Sequence, residues 1–249
     1  ALKVFAMGPM FRRERPQKGR YRQFHQVDVE AFGFTSPTID AETIELALAY
    51  LDACGVRQHE LVLNSVGDRH CRPAYVERLR QALRDVAPSM CADCQRRADT
   101  NPLRVLDCKV PADQATIDTL PRITDHLCEG CGAHFAEVRR QLDLLGIPYR
   151  LSHRLVRGLD YYVRTTFEVT SDLLGAQSSV LGGGRYDGLV KDLGGKDAAG
   201  IGFAVGMERL ALLVPAGEAA PRCDVFLVPL AKPAFDRAAS LSILWNCSA

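Results

Sequence analysis

Residues 2–12 and 21–32 both read as strands, and the segment between them is too densely charged to be buried. With Pro16 and Gly19 breaking any regular structure in that segment, the two strands are expected to pair as a long antiparallel hairpin with a basic tip. Side chains alternate along a strand. Phe24, Gln26, Asp28 and Glu30 therefore share one face of the second strand, and His25, Val27, Val29 and Ala31 the other. Arg12, Arg13, Arg15, Lys18, Arg20 and Arg22 crowd into residues 11–22, where Glu14 is the sole acid. The whole chain carries a formal net charge of +1, which excludes a globally basic nucleic-acid binder and makes this excess a local feature. A solvated loop ordinarily mixes signs. Guanidinium forks at this density suit a polyanion, whose phosphate oxygens they grip in pairs.

The rest of the 249 residues falls into recognisable pieces. "SPTIDAETIELALAYLDACG" predicts a helix capped by Thr38 or Asp40, with Ile44, Leu48 and Leu51 turned inward and Gly55 as its stop. "ELVLNSVGD" reads as a strand and residues 72–86 as a second amphipathic helix. From 87 to 150, prolines, paired cysteines and short helices, "HFAEVRRQLDLLG" among them, indicate a small helical insertion. Strand signals return in "VRGLDYYVRTTFEVTS" and "SSVLGGGRYDGLVKDLGG", then in "GIGFAVG", which runs into the helix "MERLALLV". The expected organisation is an α/β (α+β) core in two parts, 1–86 and 151–214, with an antiparallel sheet flanked by helices. The insertion interrupts it, a linker covers 215–221, and residues 222–249 begin another domain that is cut short. The strand-like first residues and the final "AASLSILWNCSA", which loses its charged face, point to a piece of a longer chain.

No apolar run approaches the roughly 20 residues of a membrane span, and no signal-peptide pattern opens the chain. Nine cysteines, an odd number containing C-x-x-C pairs, favour a reducing compartment, so a cytoplasmic protein without a membrane partner is expected. Cys91-x-x-Cys94 and Cys128-x-x-Cys131 have the ligand type and spacing of a four-thiolate structural zinc site, which would brace a thin-cored insertion. Cys108 in "VLDCK" reads as a core residue or a substitute ligand.

Four segments carry a resemblance. "FRRERPQKGRYRQFHQVDVE" resembles motif 2 of the class II aminoacyl-tRNA synthetases, that of the histidyl-tRNA synthetases in particular, and "GIGFAVGMERLALL" resembles motif 3. "LVRGLDYYVRTTFEV" and "LGGGRYDGL" are similar to two signatures of the histidine family, and all four stand in the family's order over residues 1 to about 214. The resemblance implies a class II synthetase-like fold whose insertion approaches the tRNA acceptor stem. It also implies a reaction in which ATP, with Mg2+, activates histidine to histidyl-adenylate before transfer to tRNA(His).

Matched residue by residue, it places Arg12 and Arg157 on the α-phosphate and Arg209 on the γ-phosphate as the catalytic arginines. Glu14 would face the adenine amino group and Phe24 would stack on the ring. Gln26, Glu30, Arg157, Tyr161, Tyr162, Tyr186 and Gly183 would surround histidine, with Gly182 and Gly184 helping the backbone approach it. A neutral imidazole has one donor and one acceptor nitrogen, which Glu30 and Tyr162 can match. Arg15, Lys18 and Arg20 would meet the tRNA acceptor end, while His25, on the opposite strand face, reads as structural. The intact parent would be a homodimer, with motif 1 before residue 1 and an anticodon-binding domain following. Residues 241–249 match nothing expected of it. The family pattern requires no metal at the cysteine pairs, so zinc stays open. Two other readings share the fold: the regulatory subunit of ATP phosphoribosyltransferase, which lacks the insertion and the tyrosine signature, and a non-catalytic histidine sensor.

Overall fold

The structure, a computed structural model, describes residues 1–13, 20–156, 161–215 and 231–234. Its contacts divide the chain into two compact units, 1–214 and 215–249, and every element below lies in the first.

Strands β1 (Leu2–Phe11) and β2 (Gln23–Phe32) form the hairpin the alternation predicts, in unbroken antiparallel register from Leu2 opposite Phe32 to Phe11 opposite Gln23. Helix α1 (Pro37–Ala53) starts earlier than expected. Its cap is neither Thr38 nor Asp40 but Ser36, whose hydroxyl accepts from the Thr38 amide at 3.2 Å. Pro37 explains the shift: its fixed φ and missing N–H suit the first helical position. Asp40 is thereby released for another purpose. Strand β3 (Glu60–Ser65) and helix α2 (Arg72–Val86) follow. A run of short turns then holds α3 (Ala92–Thr100) and α4 (Gln114–Asp118), before the long α5 (Glu129–Leu144). The chain returns through β4 (Arg150–Leu151), β5 (Val163–Thr170), β6 (Ser179–Arg185), the single turn α6 (Leu189–Asp192), β7 (Gly200–Gly206) and α7 (Met207–Ala211).

The strands make one seven-stranded sheet in the order β1-β2-β7-β6-β5-β3-β4. Every neighbouring pair is antiparallel except the short β3–β4 contact, which is parallel. The expected antiparallel sheet is thus present, with a mixed edge. No helix of the described residues is long and apolar enough to cross a membrane.

Two cores form. Ile44, Ala47 and Leu51 of α1 pack with Phe135, Val138 and Leu142 of α5 against Leu63, Phe167, Val169 and Val205 of the sheet. Tyr75, Leu79 and Leu83 of α2 build the second core with Met90, Val105, Leu106, Ile117 and Ile123. These cores cut the sequence differently from the expected 87–150 insertion: α5 packs on the sheet beside α1, and α2 walls the second core. The periodic apolar stripe of α5 is visible in sequence, but a stripe does not say which partner covers it.

Arg185, the last residue of β6, is fully buried. Its Nε donates to Asp40 Oδ1 at 3.1 Å, Nη2 donates to the same carboxylate, and Nη1 reaches Phe34 O at 2.9 Å and Asp187 Oδ1 at 3.0 Å. His134 Nε2 of α5 meets the other Asp40 oxygen at 2.8 Å. Burial alone would raise the Asp40 pKa, but the bonds from His134 and Arg185 outweigh it and hold the carboxyl below its ordinary 3.8. A depressed folded-state pKa gives stability that is complete above the unfolded value and is lost as pH falls through the folded one. Two outcomes are expected. Arg185→Ala, which leaves Asp40 buried beside one partner only, should cost about 3–5 kcal/mol in urea unfolding. In wild type the network's contribution should begin to fall only as pH drops below about 3.8, and Asp40→Asn should remove that acid-dependent component.

Candidate active site

The two faces of β2 divide the work as their parity requires. Val27 and Val29 pack against the first core, while Gln26, Asp28, Glu30 and Phe32 line a pocket of about 640 Å³. Tyr161, Tyr162, Tyr186 and Gly182 line it from the β5 and β6 side, and Gly202 and Ala204 of β7 complete its floor. The tyrosines form one aromatic group. Tyr161 and Tyr162 have centroids 4.6 Å apart, and Tyr161 meets Tyr186 edge-on at 6.0 Å. The Tyr186 hydroxyl donates to Glu30 Oε2. Burial raises the Glu30 pKa; Asp28 adds to the rise and the Tyr186 bond opposes it. Burial, followed by the bond to Glu30, pushes the Tyr186 phenol well above its usual value. The pocket thus joins carboxylate acceptors to phenolic groups in a partly desolvated space.

Glycines make this arrangement sterically feasible. Gly202 lies opposite Glu30 in the β2–β7 register, and a Cβ there would overlap Glu30 Oε2. A Cβ on Gly200 would overlap the Tyr186 ring, and one on Gly184 would come within 2.9 Å of Tyr162 Cδ1. Of the three consecutive glycines, Gly183 is set apart. By strand alternation it faces the other side, where a Cβ would lie 2.7 Å from Phe167 Cζ, and its neighbour Gly182 is the one lining the pocket.

Beyond the pocket, along the same face of β2, lies an arginine cluster. The Arg12 guanidinium sits 3.7 Å above the centroid of the Phe24 ring, a cation–π contact. Its Nε is buried without a hydrogen-bond partner among the described residues. Arg209, on α7, donates from Nη1 to Ser179 O at 2.8 Å. Burial, then the field of Arg20, lowers the Arg12 pKa, while Glu208 opposes the shift. Burial, then the fields of Arg12 and Arg20, lowers that of Arg209. Three guanidiniums close enough to perturb one another make a site that an anion relieves. His25 points away from the pocket as expected and has a clear structural task. Its backbone N–H donates to Glu208 Oε1 at 2.8 Å, with Nδ1 at 3.2 Å from the same oxygen.

The fold therefore brings together Arg12, Arg20, Phe24 and Arg209 at one end, and Gln26, Glu30, Tyr161, Tyr162 and Tyr186 at the other. Successive same-face residues of a strand are about 7 Å apart, so Phe24 and Gln26 join the two groups directly. Asp28 was not assigned a role from sequence. Its shared face with Gln26 and Glu30 was the available signal, and burial raises its pKa. Glu14, Arg15, Lys18 and Arg157, together with Pro16 and Gly19, lie outside the described residues, as do 216–230 and 235–249.

Comparison with known proteins gives this arrangement its context. The family profile described as histidyl-tRNA synthetase matches residues 1–210. The chain belongs to the histidyl-tRNA synthetase family. Among relatives, the histidine–tRNA ligase of Solibacter usitatus is 56% identical over 241 residues, covering 96% of this chain and 58% of the relative. That of Koribacter versatilis is 57% identical over 235 residues, covering 92% and 53%. Among solved structures, apo histidyl-tRNA synthetase of S. aureus matches with a TM-score of 0.67 at 38% identity, covering 96% of this chain and 58% of that one. The chain thus spans a little over half the length of the histidyl-tRNA synthetases it matches.

The cysteine pairs do not converge on one four-thiolate site. Cys91 and Cys94 group with Cys108 and Asp113, and Cys128 and Cys131 group with Asp68 and Cys71. Each pair opens a different helix, α3 or α5, and the two helices belong to different cores. The seven described cysteines are all free.

The glycine floor yields a contrast. Gly202→Ala should destabilise the protein by about 1–3 kcal/mol through overpacking. Gly206→Ala, whose added methyl has nothing within 4 Å, should be nearly neutral. Thermal unfolding of the two variants checks this.

Proposed function

We propose that the protein of which this chain is part acts as a histidine–tRNA ligase, coupling histidine to tRNA(His) through histidyl-adenylate. The observation that carries this reading is the continuity of the arginine cluster with the polar tyrosine-lined pocket on one face of β2. A triphosphate needs clustered guanidiniums and an amino acid with a polar ring needs matched donors and acceptors. The reaction needs both groups within bonding distance of each other.

In this reading histidine occupies the pocket. Glu30 and Tyr162 meet the two imidazole nitrogens, with Gln26, Tyr161 and Tyr186 around them and Arg157 completing the set. The Tyr186–Glu30 bond fixes the carboxylate before the ligand arrives. The ATP phosphates lie among Arg12, Arg157 and Arg209. The histidine carboxylate attacks the α-phosphorus, pyrophosphate leaves, and positioned positive charge offsets what develops on the phosphoryl oxygens. The Arg12 Nε, which has no hydrogen-bond partner among the described residues, is a donor available for that purpose. Arg12 covers one face of Phe24, so adenine either takes the opposite face or displaces the guanidinium toward the phosphates. Glu14 faces the adenine amino group. Mg2+ accompanies the nucleotide and screens its phosphate charge. Arg15, Lys18 and Arg20 receive the tRNA acceptor end. The insertion approaches the acceptor stem, the intact protein is a homodimer, and the free cysteines accord with a cytoplasmic location.

Histidine-dependent exchange of labelled pyrophosphate into ATP tests the assignment, on this chain and on a version extended at its N-terminus. Histidine alone among the amino acids should support exchange, and Arg12→Ala or Arg209→Ala should lower its rate about 10²–10³-fold, the loss seen on removing one transition-state donor. Histidine binding without exchange in either form would favour the sensor reading.

A further inference from the structure

Cys91, Cys94, Cys108 and Asp113 lie far along the chain from the pocket residues and have no part in the chemistry above. Cys91 is the N-cap of α3 and Cys94 sits in its first turn; Asp113 closes the turn Pro111–Asp113 that leads into α4. Cys94, Cys108 and Asp113 are buried, at 0%, 5% and 3% exposure, among the apolar residues of the second core. All four ligand atoms lie within 4.8 Å of one another.

Two of the tetrahedral edges can be checked. A zinc ion with Zn–S of about 2.3 Å and Zn–O of about 2.1 Å has S···S edges near 3.8 Å and S···O edges near 3.6 Å. Cys91 Sγ and Cys108 Sγ are 3.9 Å apart, and Cys108 Sγ and Asp113 Oδ2 are 3.4 Å apart. A sulfur separation of 3.9 Å is far beyond a disulfide bond.

The surroundings are also arranged. The Cys91 amide donates to Asp113 Oδ1 at 3.1 Å and the Val110 amide donates to Cys108 Sγ at 3.4 Å, the kind of outer support that orients ligands. The Asp113 carboxylate accepts from the Cys91 amide through both oxygens, at 3.1 and 3.2 Å, and from the Cys108 thiol at 3.4 Å; a cation bound at the same point adds the charge partner these hydrogen bonds do not supply. Cations nearby in the chain are committed to other carboxylates: Arg96 to Asp93 at 2.7 Å, Lys109 to Asp107 at 3.5 Å and Arg154 to Asp118 at 3.3 Å.

We propose that Cys91, Cys94, Cys108 and Asp113 form a tetrahedral structural site for a thiophilic divalent cation, zinc foremost, that braces the second core. Loading forms three metal–sulfur bonds and one metal–oxygen bond, releases three thiol protons to solvent, and involves no change of oxidation state. The N-terminal end of α3 offsets part of the residual negative charge. Asp68, Cys71, Cys128 and Cys131 are a natural comparison. There the carboxylate accepts from the His70 amide at 2.9 Å, as Asp113 does from that of Cys91, but it also lies 4.0 Å from the Arg164 guanidinium, a positive charge already at hand.

The test uses the reduced, metal-free 249-residue chain titrated with Co2+ and then Zn2+. Wild type should develop the visible bands of tetrahedral Co2+ with thiolate charge transfer, lose them to Zn2+, and unfold at higher temperature when zinc-loaded. Cys128→Ser should keep these bands and Cys108→Ser should lose them. Asp113→Asn, the milder change, should weaken Co2+ binding at least about tenfold. Circular dichroism establishes that each variant is folded; should Cys108→Ser fail there, the wild-type spectrum and Asp113→Asn decide. A folded wild type with no tetrahedral Co2+ spectrum would overturn the proposal. So would a spectrum that Asp113→Asn leaves unchanged, or one lost in Cys128→Ser but kept in Cys108→Ser.

Discussion

The buried Arg185–Asp40–His134 network is the interaction on which the site's geometry depends. It joins the end of β6 to both helices that cover the sheet, and it does so with charge, which tolerates little displacement in a medium of low polarity. Tyr186 is the next residue after Arg185. Holding one fixes the other, and Tyr186 in turn fixes Glu30 across the sheet on β2. A buried ion pair is weak evidence of net stability, because its desolvation can exceed its attraction. Its value here is placement: one arginine at a strand end sets the position of a phenol and a carboxylate that face the opposite side.

The pocket floor shows a complementary device. β6 and β7 lie side by side with glycine at 182, 183, 184, 200, 202 and 206, a composition that weakens a strand considered alone. Neighbouring strands on both sides and the packed core beneath supply the stability those residues do not. The absent side chains leave a flat shelf on which Glu30, Tyr162 and Tyr186 lie close to the backbone. Function is gained there through side chains that are missing.

Much of this was legible in the sequence because it is local. The hairpin, the parity of β2 and the helix over 72–86 follow from alternation and periodicity within one segment. The same parity placed Gln26, Asp28 and Glu30 together before any fold was known. Failures came where a partner distant in sequence decides. Pro37 starts α1 early, with Ser36 as its cap, and the Asp40 this frees is bound by Arg185 and His134, neither visible from the helix itself. Gly183 and Gly182 differ only in the face that the sheet assigns them. The cysteine pairs carry a spacing common to many metal sites, but spacing cannot reveal that each pair closes with a different third cysteine and aspartate.

The parallel contact between β3 and β4 has a consequence for how such a chain folds. Val62 lies opposite Arg150 and Leu63 opposite Leu151, with Glu60 and Arg150 bridged by two charged hydrogen bonds at 2.9 and 2.8 Å, so the chain returns to the point it left. Everything between is a closed loop, and closure entropy grows with the logarithm of its flexible length. The second core lies within that loop and involves mainly contacts between residues close in sequence, the kind that form early. Once it has condensed, the flexible length left to close is short. The excursion then presents its two ends to the sheet already gathered together, and α5 can dock beside α1 as a late step.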